Sequence, residues 1–192
     1  MIGARKQGAV VRSFLALALP EAVREACARL VGELRARPGG EGVRWVRPEA
    51  YHLTLRFLGN VAVDSLPDLS KCVGEAVAGS AAFEASLGEL LAFPDRRRPR
   101  VVALAAHPAP ALAALAERVE EGVVAAGLPA ATRRFSAHLT LGRVRNRRLP
   151  SFEGVQAPEP GRFPADPVVL FQSDLAPEGA HYTALERFFV SP

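Results

Sequence analysis

The tetrapeptide His-Leu-Thr-Leu occurs twice in this chain, as His52-Leu53-Thr54-Leu55 and as His138-Leu139-Thr140-Leu141. No other feature constrains the fold as tightly. Successive side chains of a strand point to opposite faces, so His52 and Thr54 share one face while Leu53 and Leu55 share the other. The same holds for His138 and Thr140 against Leu139 and Leu141. Each copy therefore predicts a strand fixed in a core by two leucines, presenting an imidazole beside a hydroxyl. In so Ala/Leu/Arg-rich a composition the expected number of such coincidences is on the order of 0.004, and self-similarity of this kind marks a duplicated unit.

The surrounding pattern repeats as well. Phe14 to Leu19 is a continuous apolar strand, and Pro20 opens a helix at a position that favours proline. Val23, Ala26, Cys27, Leu30, Val31 and Leu34 follow helical spacing until Pro38-Gly39-Gly40 stops them. Val43 to Val46 reads as a short strand, Tyr51 to Leu58 as the first motif strand, Asp64 to Gly79 as a helix and Phe83 to Phe93 as a strand. The order then recurs: strand Val101 to Ala105, helix Pro110 to Ala126 with Gly127 to cap it, short strand Thr132 to Phe135, motif strand Ala137 to Val144. A Pro/Gly-rich connection from Pro150 to Pro167 leads to closing strands Val168 to Leu175 and Tyr182 to Val190, joined by the turn signal Pro177-Glu178-Gly179. Each half runs strand, helix, short strand, motif strand. This argues for two lobes related by a pseudo-twofold, with the motifs meeting between them. Residues 1–9 read as a flexible tail and 10–192 as a single bilobal domain.

At 192 residues with 49% hydrophobic and 23% charged side chains, the chain can bury a substantial core. No stretch is long enough to span a membrane as a helix; the apolar run Val10 to Leu19 is broken by Arg12 and Ser13 and reads as a strand rather than a signal peptide. Cys27 and Cys72 are too few for a disulfide framework or a zinc site, which fits a reducing cytoplasm. Net charge is +4 and only Lys6 and Lys71 among the 24 basic residues are lysine. Arginine favours planar, bidentate contact with phosphate. It clusters at Arg96-Arg97-Arg98-Pro99-Arg100 and again from Arg143 to Arg148, readings that weigh a nucleic-acid surface against a solvated turn.

Two histidines that titrate near neutrality can hold complementary protonation states, as a general base and a general acid in one turnover require. With a phosphodiester between them, one imidazole takes a proton from water and the other protonates the leaving alkoxide. Each threonine, two residues along on the same face, can donate to a non-bridging oxygen. Competing chemistries are poorly served. Neither motif has Cys, Asp or Glu at metal-ligand spacing, and neither a P-loop nor a Gly-x-Ser-x-Gly elbow occurs. His107 and His181 read as surface or loop residues.

These residues resemble the 2H phosphoesterase superfamily, named for its paired H-x-T-x motifs, and within it the bacterial and archaeal RNA 2′,3′-cyclic phosphodiesterase (2′-5′ RNA ligase-like) branch. The resemblance runs from Arg12-Ser13-Phe14-Leu15-Ala16-Leu17 through Arg44-Trp45-Val46, Phe57-Leu58-Gly59, Phe93-Pro94 and Arg98-Pro99-Arg100-Val101 to Tyr182-x-x-Leu185. Ala137 and Ser13 depart from the family pattern without touching the motif side chains. The resemblance implies an α+β, LigT-like bilobal fold: two pseudo-symmetric lobes, each an antiparallel sheet with helices outside, around an active-site cleft. It implies hydrolysis of RNA 2′,3′-cyclic phosphate ends to 2′-phosphates without metal or cofactor, with His52 as proton donor, His138 as proton acceptor, and Thr54 and Thr140 holding the phosphate. Arg143 is implied as a phosphate or RNA contact, and Phe14 and Phe57 as candidates for a base pocket, with core packing the alternative for at least one. The implied ligand is an RNA end or a cyclic nucleotide, and no obligate protein partner is implied. Rival readings are reversible 2′-5′ ligation at the same site, and a nucleotide- or RNA-binding module with little turnover.

Overall fold

In a computed structural model, residues 8–146, 148–176 and 179–190 are described. Residues 1–7 of the expected tail, Arg147 of the second arginine cluster and Pro177-Glu178 of the last turn lie outside them. The strands are β1 (Val10–Ala18), β2 (Val43–Trp45), β3 (His52–Ala62), β4 (Glu84–Phe93), β5 (Val101–His107), β6 (His138–Val144), β7 (Arg162–Pro164), β8 (Val168–Ala176) and β9 (Gly179–Phe188). The helices are α1 (Glu21–Ala36), α2 (Leu66–Ala78) and α3 (Ala109–Ala125). Among the described residues, no helix is long and apolar enough to cross a membrane.

The strands form a four-stranded sheet in the order β3-β1-β8-β9 and a five-stranded sheet in the order β2-β6-β5-β4-β7. All the pairings are antiparallel. The fold is α+β and bilobal, as the repeat and the resemblance imply, but the two lobes are not the two halves of the sequence. β2 and β4, from the first half, are built into the second motif's sheet, and β8 and β9, from the second half, into the first motif's sheet. Neither half can complete its sheet alone.

This exchange explains the one expected element that does not form. Thr132 to Phe135 is irregular, not a strand. β6 already has β5 on one side and β2 on the other, which leaves no edge for a short strand to join. The chain just before it is held by side chains instead: the Arg56 guanidinium donates to the Pro129 carbonyl and pairs with Glu120, whose other oxygen accepts from the Ala131 amide. β2 fits beside β6 because residue 142 is glycine. A Cβ there would lie 2.5 Å from Val43 Cγ1 and 3.1 Å from Trp45 Cε3.

The leucine half of each motif behaves as its alternation requires. Leu53, Leu139 and Leu141 are fully buried and Leu55 nearly so. The core they join includes the periodic faces of the helices: Val23, Cys27, Leu30 and Leu34 of α1, Leu69, Val73 and Val77 of α2, and Leu112, Leu115, Val119 and Val123 of α3. Gly127 ends α3 at φ +83°, as its cap position requires. α3 packs on α2 and touches both β3 and β5, so it ties the two motif sheets together from behind. The Pro150 to Pro167 connection holds no helix and adds only the three-residue β7.

Candidate active site

His52 begins β3 and His138 begins β6, so each imidazole stands where a loop enters a sheet. Both rings are fixed in the same way. Nδ1 of His52 lies 2.8 Å from the Ala50 carbonyl, and Nδ1 of His138 lies 2.8 Å from the Ser136 carbonyl, in each case two residues upstream. A carbonyl only accepts, so Nδ1 carries the proton and Nε2 presents its lone pair. The entry loops thus select one tautomer in both copies. Downstream the copies diverge: the Thr54 hydroxyl lies 2.9 Å from His52 Nε2 and donates to it, whereas no hydrogen bond joins His138 and Thr140 among the described residues.

The neighbouring strands leave room above these groups. Ala18 is paired with His52 and Ala16 with Thr54; Ala105 is paired with His138 and Ala103 with Thr140. Residues directly opposite in an antiparallel ladder share a face, so each motif looks out past two methyl groups. Sequence reasoning missed these positions. Their signal is Ala-Leu-Ala at 16–18 and again at 103–105, but the same tripeptide recurs in α3 at 111–113, and only strand register separates the two uses.

An aromatic floor supports His52. Its ring lies 4.7 Å from that of Phe14 and 5.1 Å, edge-on, from that of Tyr182, and Phe14 also stacks on Phe171 at 5.3 Å. Phe93 lies 4.9 Å from the His138 ring. Phe14 is only 3% exposed, which gives it the packing role; Phe57, on the same ladder 6.1 Å away, is 64% exposed and open to a ligand. Tyr182 and Phe171 reach the site from the β8–β9 hairpin, across the strand exchange. Burial pushes the Tyr182 hydroxyl up, opposed by the charges of Arg143 and Arg12 nearby.

The electrostatics distinguish the two imidazoles. Burial drives His52 down to about 4, against the favourable Ala50 carbonyl bond and together with repulsion from His138. β3 and β6 pack against one another, which brings His138 near enough to disfavour a positive charge on His52. Arg143 is exposed on β6, paired with Val101 of β5 and Arg44 of β2. The structure thus brings Thr54 against His52 and Phe57 beside the Phe14 that supports it, and carries His138, Thr140 and Arg143 on the one strand β6. His107 is elsewhere, exposed at the end of β5 and 3.3 Å from Glu89, and His181 is an exposed residue of β9 against Arg47.

The LigT-like phosphoesterase family model matches residues 17–103 and again 102–182, one match for each motif. The RNA 2′,3′-cyclic phosphodiesterase of Methanothermobacter thermautotrophicus is 33% identical over 93% of this chain and 98% of its own length. That of Archaeoglobus fulgidus is 31% identical over 93% of this chain and 99% of its own. A crystal structure from Thermus thermophilus superposes with a TM-score of 0.78 at 33% identity, covering 93% of this chain and 97% of that one. Escherichia coli LigT complexed with 3′-AMP superposes with a TM-score of 0.78 at 26% identity, over 96% of this chain and all of its own.

Proposed function

The chain belongs to the LigT-like phosphoesterase family, and from that premise we propose that it hydrolyses 2′,3′-cyclic phosphate ends of RNA to 2′-phosphates. Residues 10–192 act as one bilobal domain, with His52 and His138 as the acid–base pair of its cleft. The observation that carries this reading is the matched anchoring of the two rings. Both Nδ1 protons are committed to carbonyls at 2.8 Å, so both reactive nitrogens are the Nε2 atoms.

In the proposed reaction His138 Nε2 takes a proton from the attacking water as its oxygen bonds to phosphorus. The bond from phosphorus to the 3′-oxygen breaks, and His52 returns a proton to that oxygen. The strain of the five-membered cyclic ester lowers the barrier that water alone must cross. His52 is neutral in the empty site, because burial and His138 disfavour its charge. The negative charge of a bound phosphate opposes both effects and raises His52 towards the donor state. Protonation also redirects Thr54: its hydroxyl now donates to His52 Nε2, and a protonated Nε2 can no longer accept. The Thr54 proton is then released to a non-bridging phosphate oxygen. Arming the acid and completing the phosphate site are one event.

Thr140 serves the phosphate from the opposite sheet, Arg143 adds positive charge, and exposed Phe57 offers a face on which the terminal base can stack. Phe14 supports His52 from below. Ligation is the same chemistry reversed, with a 5′-hydroxyl in place of water. The relatives named as RNA 2′,3′-cyclic phosphodiesterases support hydrolysis as the main direction. Incubating the protein in EDTA with an oligoribonucleotide ending in a 2′,3′-cyclic phosphate, and resolving 2′- from 3′-phosphate product, tests the proposal. A 2′-phosphate product is expected. No hydrolysis, or a 3′-phosphate, would refute it.

A further inference from the structure

The two arginine clusters lie far apart in sequence and meet in the fold. The antiparallel pairing of Val101 with Arg143 brings the start of β5 beside the end of β6. The Val144 amide donates to the Arg100 carbonyl at 2.9 Å, the Arg100 amide to the Phe93 carbonyl at 2.7 Å, and the Arg145 amide to the Gly42 carbonyl at 2.8 Å. These bonds fix the rims of a cavity of about 440 Å³ lined by Arg98, Pro99, Arg100, Arg143, Val144 and Arg145. No carboxylate lines it, and none forms an ion pair with any of its four arginines among the described residues. Asp95, the nearest acid in sequence, accepts instead from the amides of Arg97 and Arg98 at 2.7 and 2.9 Å, which shapes the turn.

Guanidinium groups held together without a counter-charge repel one another, and a bound anion relieves that repulsion. The volume lies in the range of sites that enclose an organic ligand, more than one inorganic anion needs, and planar bidentate donors suit phosphate. The cavity shares strand β6 with the candidate active site. Arg143 follows Thr140 on β6 by three residues, ~10 Å along a strand, and its charge is felt at Tyr182, which edges His52.

We propose that this arginine-walled cavity binds the sugar-phosphate backbone on the 5′ side of the cyclic end, which makes a polynucleotide, rather than a cyclic mononucleotide, the preferred substrate. This rests on the reading of the site as a cyclic phosphodiesterase. A cyclic phosphate sits on the last nucleotide, so a chain can leave the catalytic pair only through its 5′ side. The cavity offers that chain positive charge where it emerges.

The test uses the full chain with Arg98, Arg100 and Arg145 changed together to glutamate, and a milder variant with the same three changed to glutamine. The values of kcat/KM for a 2′,3′-cyclic mononucleotide and for a short oligoribonucleotide with the same end give a preference ratio. The ratio is expected to fall about tenfold or more in the glutamate variant and less in the glutamine variant. Binding of a 3′-phosphorylated oligoribonucleotide, followed by fluorescence anisotropy between about 50 and 200 mM salt, should lose ~0.7 of log–log slope for each phosphate contact removed. An unchanged ratio with an unchanged slope would overturn the proposal, as would displacement of the RNA by a polyglutamate of matched charge as effectively as by RNA. If the parent hydrolyses neither substrate, the cyclic phosphodiesterase reading fails, and the binding arm still decides whether the cavity holds RNA.

Discussion

Acid sensitivity centred on His52 is a sharp consequence of the site's geometry. Burial and the nearby His138 hold His52 at about 4 against an ordinary 6.5. As pH falls, the unfolded chain takes up this proton first. The stabilisation is therefore complete above 6.5, declines between 6.5 and about 4, and is gone below that. At ~1.36 kcal/mol for each factor of ten in proton affinity the total is about 3 kcal/mol, most of it lost by pH 4. The perturbation is His52→Gln, which keeps a polar side chain of similar reach but cannot titrate. The assay is urea unfolding of parent and variant at pH 7 and pH 4, so that titrations common to both proteins cancel. The parent should lose about 2–3 kcal/mol more than the variant over that interval. Equal losses would refute the reasoning, because they would mean His52 pays no desolvation penalty on charging.

Three further outcomes follow from particular residues. The Ser13 hydroxyl is buried in β1 without a protein partner among the described residues, so Ser13→Ala should raise stability by about 1 kcal/mol and Tm by ~2–4 °C; a comparable loss would show that the hydroxyl is satisfied. Gly142→Ala places a methyl against Val43 and Trp45 and should cost about 1–3 kcal/mol in urea unfolding by displacing β2; unchanged stability would mean that β2 moves freely. Because a bound phosphate favours the charged form of His52, the alkaline limb, on which the proton donor is lost, should lie at higher pH for kcat than for kcat/KM. Coincident limbs would show that substrate leaves His52 unperturbed.

Much of this site was legible in the sequence because it depends on local alternation. A period of two fixes which side of a strand carries His and Thr and which carries Leu, and the buried leucines follow it in both copies. Helix positions followed equally from spacing and punctuation: Pro20 precedes α1 and Gly127 follows α3. Partner choice between strands was not legible. Val43 to Trp45 precedes the first motif in the chain yet pairs with the second, since short strands of similar composition do not encode which edge they join. That one exchange took the edge that Thr132 to Phe135 would have used. The aromatic floor was hidden for a related reason: Phe171 and Tyr182 reach His52 only after the chain has crossed back through β8 and β9. The arginine clusters were visible as clusters, but their joining into one cavity depends on the β5–β6 register.

The central claim is that two histidines from two sheets act as a single acid–base pair on a cyclic phosphate. Its most direct test is the rate of RNA 2′,3′-cyclic phosphate hydrolysis by the parent, His52→Ala, His138→Ala and the double variant, measured side by side in EDTA. Each single substitution should lower kcat by about 10²–10⁴. The double variant should fall little further, because groups that act as a unit are not additive. Parent-like activity in either single variant would contradict the account.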